Sequence, residues 1–512
     1  MLNKKYFLEH LKNFYDDIVI SLNNPYIKHY IAIICILLWI LCTLTNAYMN
    51  CYNTDELWAW DIASDMNFID IIKLMHYEGH TFLWYIILKP FTHINNFFPY
   101  AIKFVNWFFA LLSIILLWRF APFNNILKIV ITFSHPFLII YPTLGRGYTL
   151  SILLLFLLTI IYQKRFEKPI LYSLILFLAI NSDIMTFLCS SGFAIYFIYD
   201  YLKQEQNNNK LTKWIPILIT ILGWIFILLQ WLPFYPPNYI DDINRIEYLE
   251  RFFFSNKDNF INNCISFIIF FPFAQFVLFK VACCIKNKRF ILLPIVLFNL
   301  MFAFFYLIYA GRNFHLYFSY IYLIIFYWII LKNSKEIFDN KFVYYLLLTF
   351  MICISLIFIP ANRQDHYWSF DKSVFDLGAD DIKTIVPKGS VIYMPIDLSQ
   401  GLIPYLKDDY ILKTLNGDKI PSYKAYKGIY QEQYKDIDEI SAPEKNAYYV
   451  IAIQYTIQYA HRIKFYIPEQ YSSNEDNIIY YIFKLDKKTI KSVRKMKSGE
   501  KDKKNENDHK KI

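Results

Sequence analysis

Phe82-Leu-Trp-Tyr-Ile-Ile-Leu-Lys-Pro-Phe-Thr-His-Ile-Asn-Asn-Phe-Phe98 is apolar, yet Lys89-Pro90 and the polar Thr92, His93, Asn95 and Asn96 interrupt it. Proline removes a backbone donor and strains the preceding turn, and polar side chains avoid the bilayer core. The stretch therefore reads as an interfacial or re-entrant segment and not as a span. That reading sets the side of every later loop. With the stretch left out, Arg119/Lys128, Lys164/Arg165/Lys168, Lys203/Lys210/Lys213, Lys286/Lys288/Arg289 and Lys332/Lys335/Lys341 all fall on the cytoplasmic side. Counted as a span, it would put them all outside. Cytoplasmic loops carry the excess of Lys and Arg, so the first topology is preferred.

Working outward, residues 1–28 carry Lys4, Lys5, Lys12 and Lys28 and are expected to be a cytoplasmic N-terminal segment. The first apolar run covers 30–48. No small-residue cleavage site accompanies it, so it reads as a retained span and not a signal peptide. Further runs of crossing length lie at 101–118, 127–144, 147–162, 169–181, 184–200, 214–232, 260–282, 290–308, 314–331 and 342–360. A bilayer core needs roughly 20 apolar residues per helix, which makes about eleven spans. The run at 169–181 is the shortest. The transmembrane domain is thus 29–360, with a first external loop at 49–100.

The bulk numbers agree. Of 512 residues, 56% are hydrophobic and 20% aromatic, and the mean hydropathy is +0.29. A soluble chain of this size has too little surface to hide from water that much apolar material. The net charge of +10 comes from lysines and arginines between apolar runs and in the tail 487–511, which argues against a nucleic-acid partner. The eight cysteines lie mostly inside apolar runs or in the pair Cys283-Cys284, with no CxxC spacing, so no disulfide framework is read.

An odd span count puts everything after Pro360 outside. There the pattern changes to short β-rich runs, Ser390–Pro395, Tyr448–Ile453 and Ile478–Phe483, with a helix-like segment at Ser373–Ile385. Residues 361–485 are expected to form a small extracytoplasmic α/β domain, and the Lys-, Glu- and Asn-rich 486–512 a disordered tail. The fold class is therefore an α-helical polytopic membrane protein with a small C-terminal α/β domain.

Ionisable residues concentrate in the first external loop, in Tyr52-Asn-Thr-Asp-Glu-Leu-Trp-Ala-Trp-Asp-Ile-Ala-Ser64 and His76-Tyr-Glu-Gly-His80-Thr-Phe-Leu-Trp-Tyr85. Thr54 suits a helix cap, with Asp55 and Glu56 in the first turn, where the helix dipole favours carboxylates. The same placement would fix a carboxylate as general base on an acceptor hydroxyl. His76 and His80 at i, i+4 have the spacing of metal ligands, but the His-Glu-x-x-His pattern is not met and Gly79 weakens the helix. Polar contact of Glu78 or His80 with a substrate is the better reading. Arg146, in Thr143-Leu-Gly-Arg-Gly-Tyr148, lies between two apolar runs at their external ends. It reads as a snorkelling arginine or as a cation for phosphate. Arg312 and His315, in Gly311-Arg-Asn-Phe-His315, repeat that pattern.

Asp55-Glu56-Leu-Trp-Ala-Trp-Asp-Ile-Ala63 followed by Glu78-Gly-His80-x-x-Leu83-Trp84-Tyr85 resembles the first external loop of the GT-C glycosyltransferase superfamily. The nearest branch is that of bacterial proteins similar to protein O-mannosyltransferases and aminoarabinose transferases. Ser134-His-Pro136 leading to Arg146-Gly-Tyr148 is similar to that branch's second external turn, and Asn181-Ser-Asp183 and Arg312-x-x-His315 to weaker later signatures. The resemblance covers roughly residues 30–330. Two positions depart from it: Thr81-Phe82 replaces Pro-Pro, and Asp183 stands where a histidine is more common.

The resemblance implies inverting transfer of a sugar from a polyprenyl-phosphate carrier on the non-cytoplasmic face. It implies Asp55, with Glu56 beside it, as base or acceptor-positioning group. Arg146, Arg312, His315, His80, Glu78 and Tyr148 would serve the donor and its phosphate. Some members use a divalent metal ion, and metal dependence is open here. The implied partners are the lipid-linked donor, an envelope lipid, glycan or protein acceptor, and membrane lipids. A transporter or flippase of a lipid-linked sugar is the competing reading, and a catalytically dead scaffold a third. A flippase is expected to place ionisable residues along a mid-membrane path. Asp and Glu are nearly absent from the expected spans.

Overall fold

In the computed structural model the described residues are 25–49, 54–75, 80–94, 100–203, 210–231, 313–333, 374–415, 446–452, 471–472 and 479–485, with short pieces within 276–280, 296, 345–352 and 417–420. The chain divides into two units. Residues 1–49, 68–236 and 240–369 form one, and 50–67, 237–239 and 370–512 the other.

The first unit is helical. Its elements are α1 (Pro25–Met49), α3 (Phe68–Leu74), α4 (Leu83–Thr92), α5 (Tyr100–Phe120), α6 (Asn125–Thr132), α7 (Pro136–Thr143), α8 (Tyr148–Ile161), α9 (Pro169–Ile180), α10 (Ile184–Lys203), α11 (Lys210–Trp231) and α12 (Asn313–Asn333). Helix α2 (Thr54–Asp65) belongs to the second unit. Local chemistry explains several boundaries. Pro169 opens its helix, where the missing N–H costs nothing. The Asn124 side chain caps α6 by accepting from Leu127 N–H at 2.9 Å. Pro136 breaks α6 from α7 with a 54° bend, and a π-helical turn at Pro136–Ile140 absorbs the lost bond.

Helices α1, α5 and α10 are long and apolar enough to cross a membrane, and α6 with α7 is a fourth if the bent pair is one span. Four shorter apolar helices lie at Tyr148–Lys164, Pro169–Ile180, Trp214–Gln230 and Tyr317–Lys332. Helices thus stand at most of the expected spans, while 260–282, 290–308 and 342–360 fall almost entirely outside the described residues. The outward faces are apolar. On α1, Tyr30, Ile33, Leu37, Leu41 and Leu44 are exposed, at helical spacing, while Trp39, Thr43 and Asn46 point inward. Exposed Leu174 and Leu178 on α9 and Leu218, Leu222, Ile225 and Leu229 on α11 continue the pattern. Contiguous apolar faces of this kind are matched by lipid.

The helices alternate between two polar ends. At one end Lys103 Nζ donates to Thr143 O at 2.6 Å, and Asn106 Nδ2 donates to Tyr141 O at 2.6 Å. At the other, Lys128 Nζ donates to Trp118 O at 2.9 Å, Arg165 pairs with Asp200 at 3.3 Å, and Gln163 donates to Lys332 O at 3.0 Å. Trp107, early in α5, donates to Thr43, late in α1, at 2.9 Å. Helix α5 therefore starts at the end where α1 stops. The intervening α4 has 10 residues, roughly 15 Å against the 30 Å of a bilayer core, so it is too short to cross. Residues 95–98 of the expected interfacial or re-entrant segment 82–98 lie outside the described residues.

The second unit holds α2 (Thr54–Asp65) with the C-terminal elements α13 (Val374–Ile385), β1 (Val391–Tyr393), α14 (Ile396–Leu406), β2 (Ile411–Lys413), β3 (Ala447–Ala452), β4 (Tyr471–Ser472) and β5 (Ile479–Lys484). The strands form one mixed sheet in the order β2-β1-β3-β5-β4. Strand β1 is parallel to both β2 and β3, while β5 runs antiparallel to β3 and β4. Ile382, Met394, Leu402, Leu406 and Val450 build its core. The expected strands at 390–395, 448–453 and 478–483 are β1, β3 and β5, and the expected helix at 373–385 is α13. Strands β2 and β4 and helix α14 were not foreseen. The segments 1–24 and 486–512 lie outside the described residues.

Candidate functional site

One polar end of the helical unit gathers side chains that are far apart in sequence. His80 precedes α4. Its Nε2 is hydrogen-bonded to Nη2 of Arg146, and its Nδ1 faces Asp183 Oδ2 at 3.5 Å. A guanidinium only donates, so Nε2 must accept. That requires a neutral ring with its proton on Nδ1, the side turned to the carboxylate. Asp183 thus selects the tautomer that Arg146 needs. The same aspartate caps α10, its Oδ1 accepting from Met185 N–H at 2.9 Å. One carboxylate oxygen holds a helix and the other orients the histidine.

Gly147 connects this contact to α8. Its φ of +66° is left-handed, and a Cβ there would stand 3.0 Å from Trp84 Cβ. Arg146 and Tyr148 leave this turn on either side. The Tyr148 ring meets His80 edge to face at 6.2 Å, and its hydroxyl lies 3.0 Å from His315 Nε2. Tyr148 and His315 are buried, while Arg146 and His80 are only half-buried. The open side of the cluster is therefore cationic and the closed side is an aromatic floor.

The His80 loop is held from behind by a buried amide chain. Phe82 N–H donates to Gln230 Oε1 at 2.9 Å, Gln230 Nε2 to Asn181 Oδ1 at 3.0 Å, and Asn181 Nδ2 to Gly223 O at 3.1 Å. These bonds tie α11 and the end of α9 to the residues just before α4. Thr81 Oγ1 and Trp84 Nε1, buried on either side of Phe82 and Leu83, make no hydrogen bond to a described residue.

Of the residues singled out in the sequence, the structure brings together His80, Arg146, Tyr148 and His315. Asp183, noted there within a weak later signature and as a departure from it, is their brace. Lys103 was missed. It is a buried cation at the same end, and its signal was a lysine just inside an apolar run. Glu78, Arg312 and His76 lie outside the described residues. Asp55 and Glu56 occupy the first turn of α2, as expected, with Asp55 exposed and Glu56 fully buried. They belong to the second unit. Among the described residues, no three or more His, Cys, Asp or Glu side chains are grouped to hold a metal ion.

No known protein family and no curated protein matches this chain. The chemistry must be read from the side chains. A half-open arginine paired with an oriented histidine, above a buried Tyr–His floor, is suited to an anion that enters from the polar end.

Proposed function

We propose that the protein is an integral membrane glycosyltransferase of GT-C-like architecture, with about eleven spans and a cytoplasmic N-terminus. It moves a sugar from a polyprenyl-phosphate donor to a hydroxyl of an envelope lipid, glycan or protein acceptor on the extracytoplasmic face. The observation that carries this reading is the His80–Arg146 pair braced by Asp183 at one polar end. In the proposed reaction, Asp55 or Glu56 removes the acceptor hydroxyl proton. The acceptor oxygen attacks the anomeric carbon from the face opposite the phosphate. The bond from that carbon to the phosphate oxygen breaks with inversion. The departing polyprenyl phosphate, gaining negative charge, is held by Arg146 with His80, and by Arg312.

The test is sugar transfer in membranes from labelled polyprenyl-phosphate sugars to crude envelope acceptors. Wild type is expected to consume a donor. Arg146→Ala and Asp55→Asn, at equal expression, are expected to stop it, and Glu56→Gln in place of Asp55→Asn would exchange the roles of the acidic pair. A wild type that consumes no donor but flips a lipid-linked sugar overturns the transferase reading in favour of the transporter.

A further inference from the structure

The acidic helix α2 packs on α14 of the C-terminal α/β unit, and their contact is charged. Asp61, Ser64 and Asp65 share one face of α2 by i, i+3, i+4 spacing. Lys407, just past the end of α14, meets all three. Its Nζ lies 3.0 Å from Ser64 Oγ, 3.2 Å from Asp65 Oδ1 and 3.7 Å from Asp61 Oδ1. The three acceptors differ in setting. Asp65 is exposed and also accepts from Ser64 Oγ at 2.7 Å. Asp61 is 1% exposed, and neither of its carboxylate oxygens accepts a hydrogen bond from a described residue. A buried carboxylate without hydrogen bonds is costly unless a cation stands beside it. Among the described residues the cation there is Lys407.

We propose that Lys407 is a positioning residue: by compensating Asp61 and gripping Asp65 it anchors α2 to the C-terminal unit, and so holds Asp55 and Glu56 at the start of that helix. Asp61 lies roughly 8–9 Å along the helix axis from the acidic pair, and a helix transmits that constraint as a rigid rod. The anchoring stands on geometry alone. The positioning of a catalytic carboxylate rests on the transferase reading. The C-terminal unit then has a mechanical task in the loop that carries the chemistry.

Amide hydrogen exchange of the 54–67 segment in the full-length, detergent-solubilised protein tests the anchor without any activity. Lys407→Met is expected to speed exchange there by about tenfold or more, because it strands a buried charge. The double variant Asp61→Asn/Lys407→Met removes both charges and is expected to return protection to near wild type. Lys407→Arg, which keeps the cation, is expected to stay protected and guards against a general folding defect. Unchanged exchange in Lys407→Met overturns the proposal, and so does a double variant as unprotected as the single one. In transfer assays the same series separates the two readings. Lys407→Met should lower kcat with little change in donor KM, and the double variant should recover it. If kcat stays low although protection returns, the positioning role falls. A wild type with no transfer in any assay removes the transferase reading and leaves the exchange result intact.

Discussion

Asp183 carries two functions on one carboxylate, and two substitutions separate them. Asp183→Ala removes both the cap on α10 and the acceptor facing His80. Loss of an N-cap costs about 1 kcal/mol. The His80 ring is only half-buried, so losing its carboxylate partner at 3.5 Å costs about 0.5–1.5 kcal/mol, the net worth of a hydrogen bond. Asp183→Ala should therefore destabilise by about 1.5–2.5 kcal/mol. Asp183→Asn behaves differently. Asparagine caps as well as aspartate, so its oxygen stays on Met185 N–H, 2.9 Å in the wild type. Its amide then points at His80 Nδ1 and donates. The ring must move its proton to Nε2, which now meets a guanidinium that also donates, and the His80–Arg146 bond is lost. Asp183→Asn should be about 1 kcal/mol more stable than Asp183→Ala; on the proposed transferase reading it should also lose sugar transfer by at least about tenfold, the loss expected for roughly 1.4 kcal/mol at the transition state. Denaturant unfolding in detergent gives the stability difference, and transfer from a labelled polyprenyl-phosphate sugar gives the rate. Equal stability of the two variants would refute the cap. Wild-type transfer in Asp183→Asn would refute the tautomer argument.

Gly147→Ala should destabilise by about 1–2 kcal/mol from the left-handed backbone alone, with more from a Cβ 3.0 Å from Trp84. Unfolding in detergent checks it, and a neutral result would mean the turn holding Arg146 is not rigid. The Asp61 contact should also be pH-sensitive. Burial pushes the Asp61 carboxyl well above its ordinary value of 3.8, with Lys407 pulling it back down and Asp65 adding to the rise. A carboxyl raised in the folded state favours folding while protonated, so docking of α2 should weaken as pH climbs from 3.8 through the raised value. Lys407→Met removes the opposing cation and should steepen the dependence. Exchange of the 54–67 segment between pH 5 and 8, corrected for intrinsic rates, checks it. Equal protection at both limits in the variant counts against an ionisable Asp61 at the contact.

The parts of this protein that could be read from sequence are those where a residue's local cost is visible. Lys89-Pro90 in an apolar run announced a helix too short to cross, and α4 is one. Arg146 and His315 at apolar ends announced a polar cluster, because such groups are expensive in lipid unless they meet. The β-rich runs announced β1, β3 and β5. Hidden were features created by pairing across the fold. Helix α14 carries Gly401 and Pro404, poor helix formers. It is held by packing, with Phe375 pressed where a Gly401 side chain would be. Gln230 looked like the frayed end of an apolar run, yet it is the centre of the amide chain behind His80. Asp61 was one of several loop acids, and Lys407 one lysine beside Asp408 and Asp409. Only the tertiary structure makes one the other's compensation. Local sequence reveals which groups are costly to bury. Which of them are satisfied, and by what, is a property of the fold. Asp183 and Lys407 are cases of that second kind, and the substitutions that test them act on pairs.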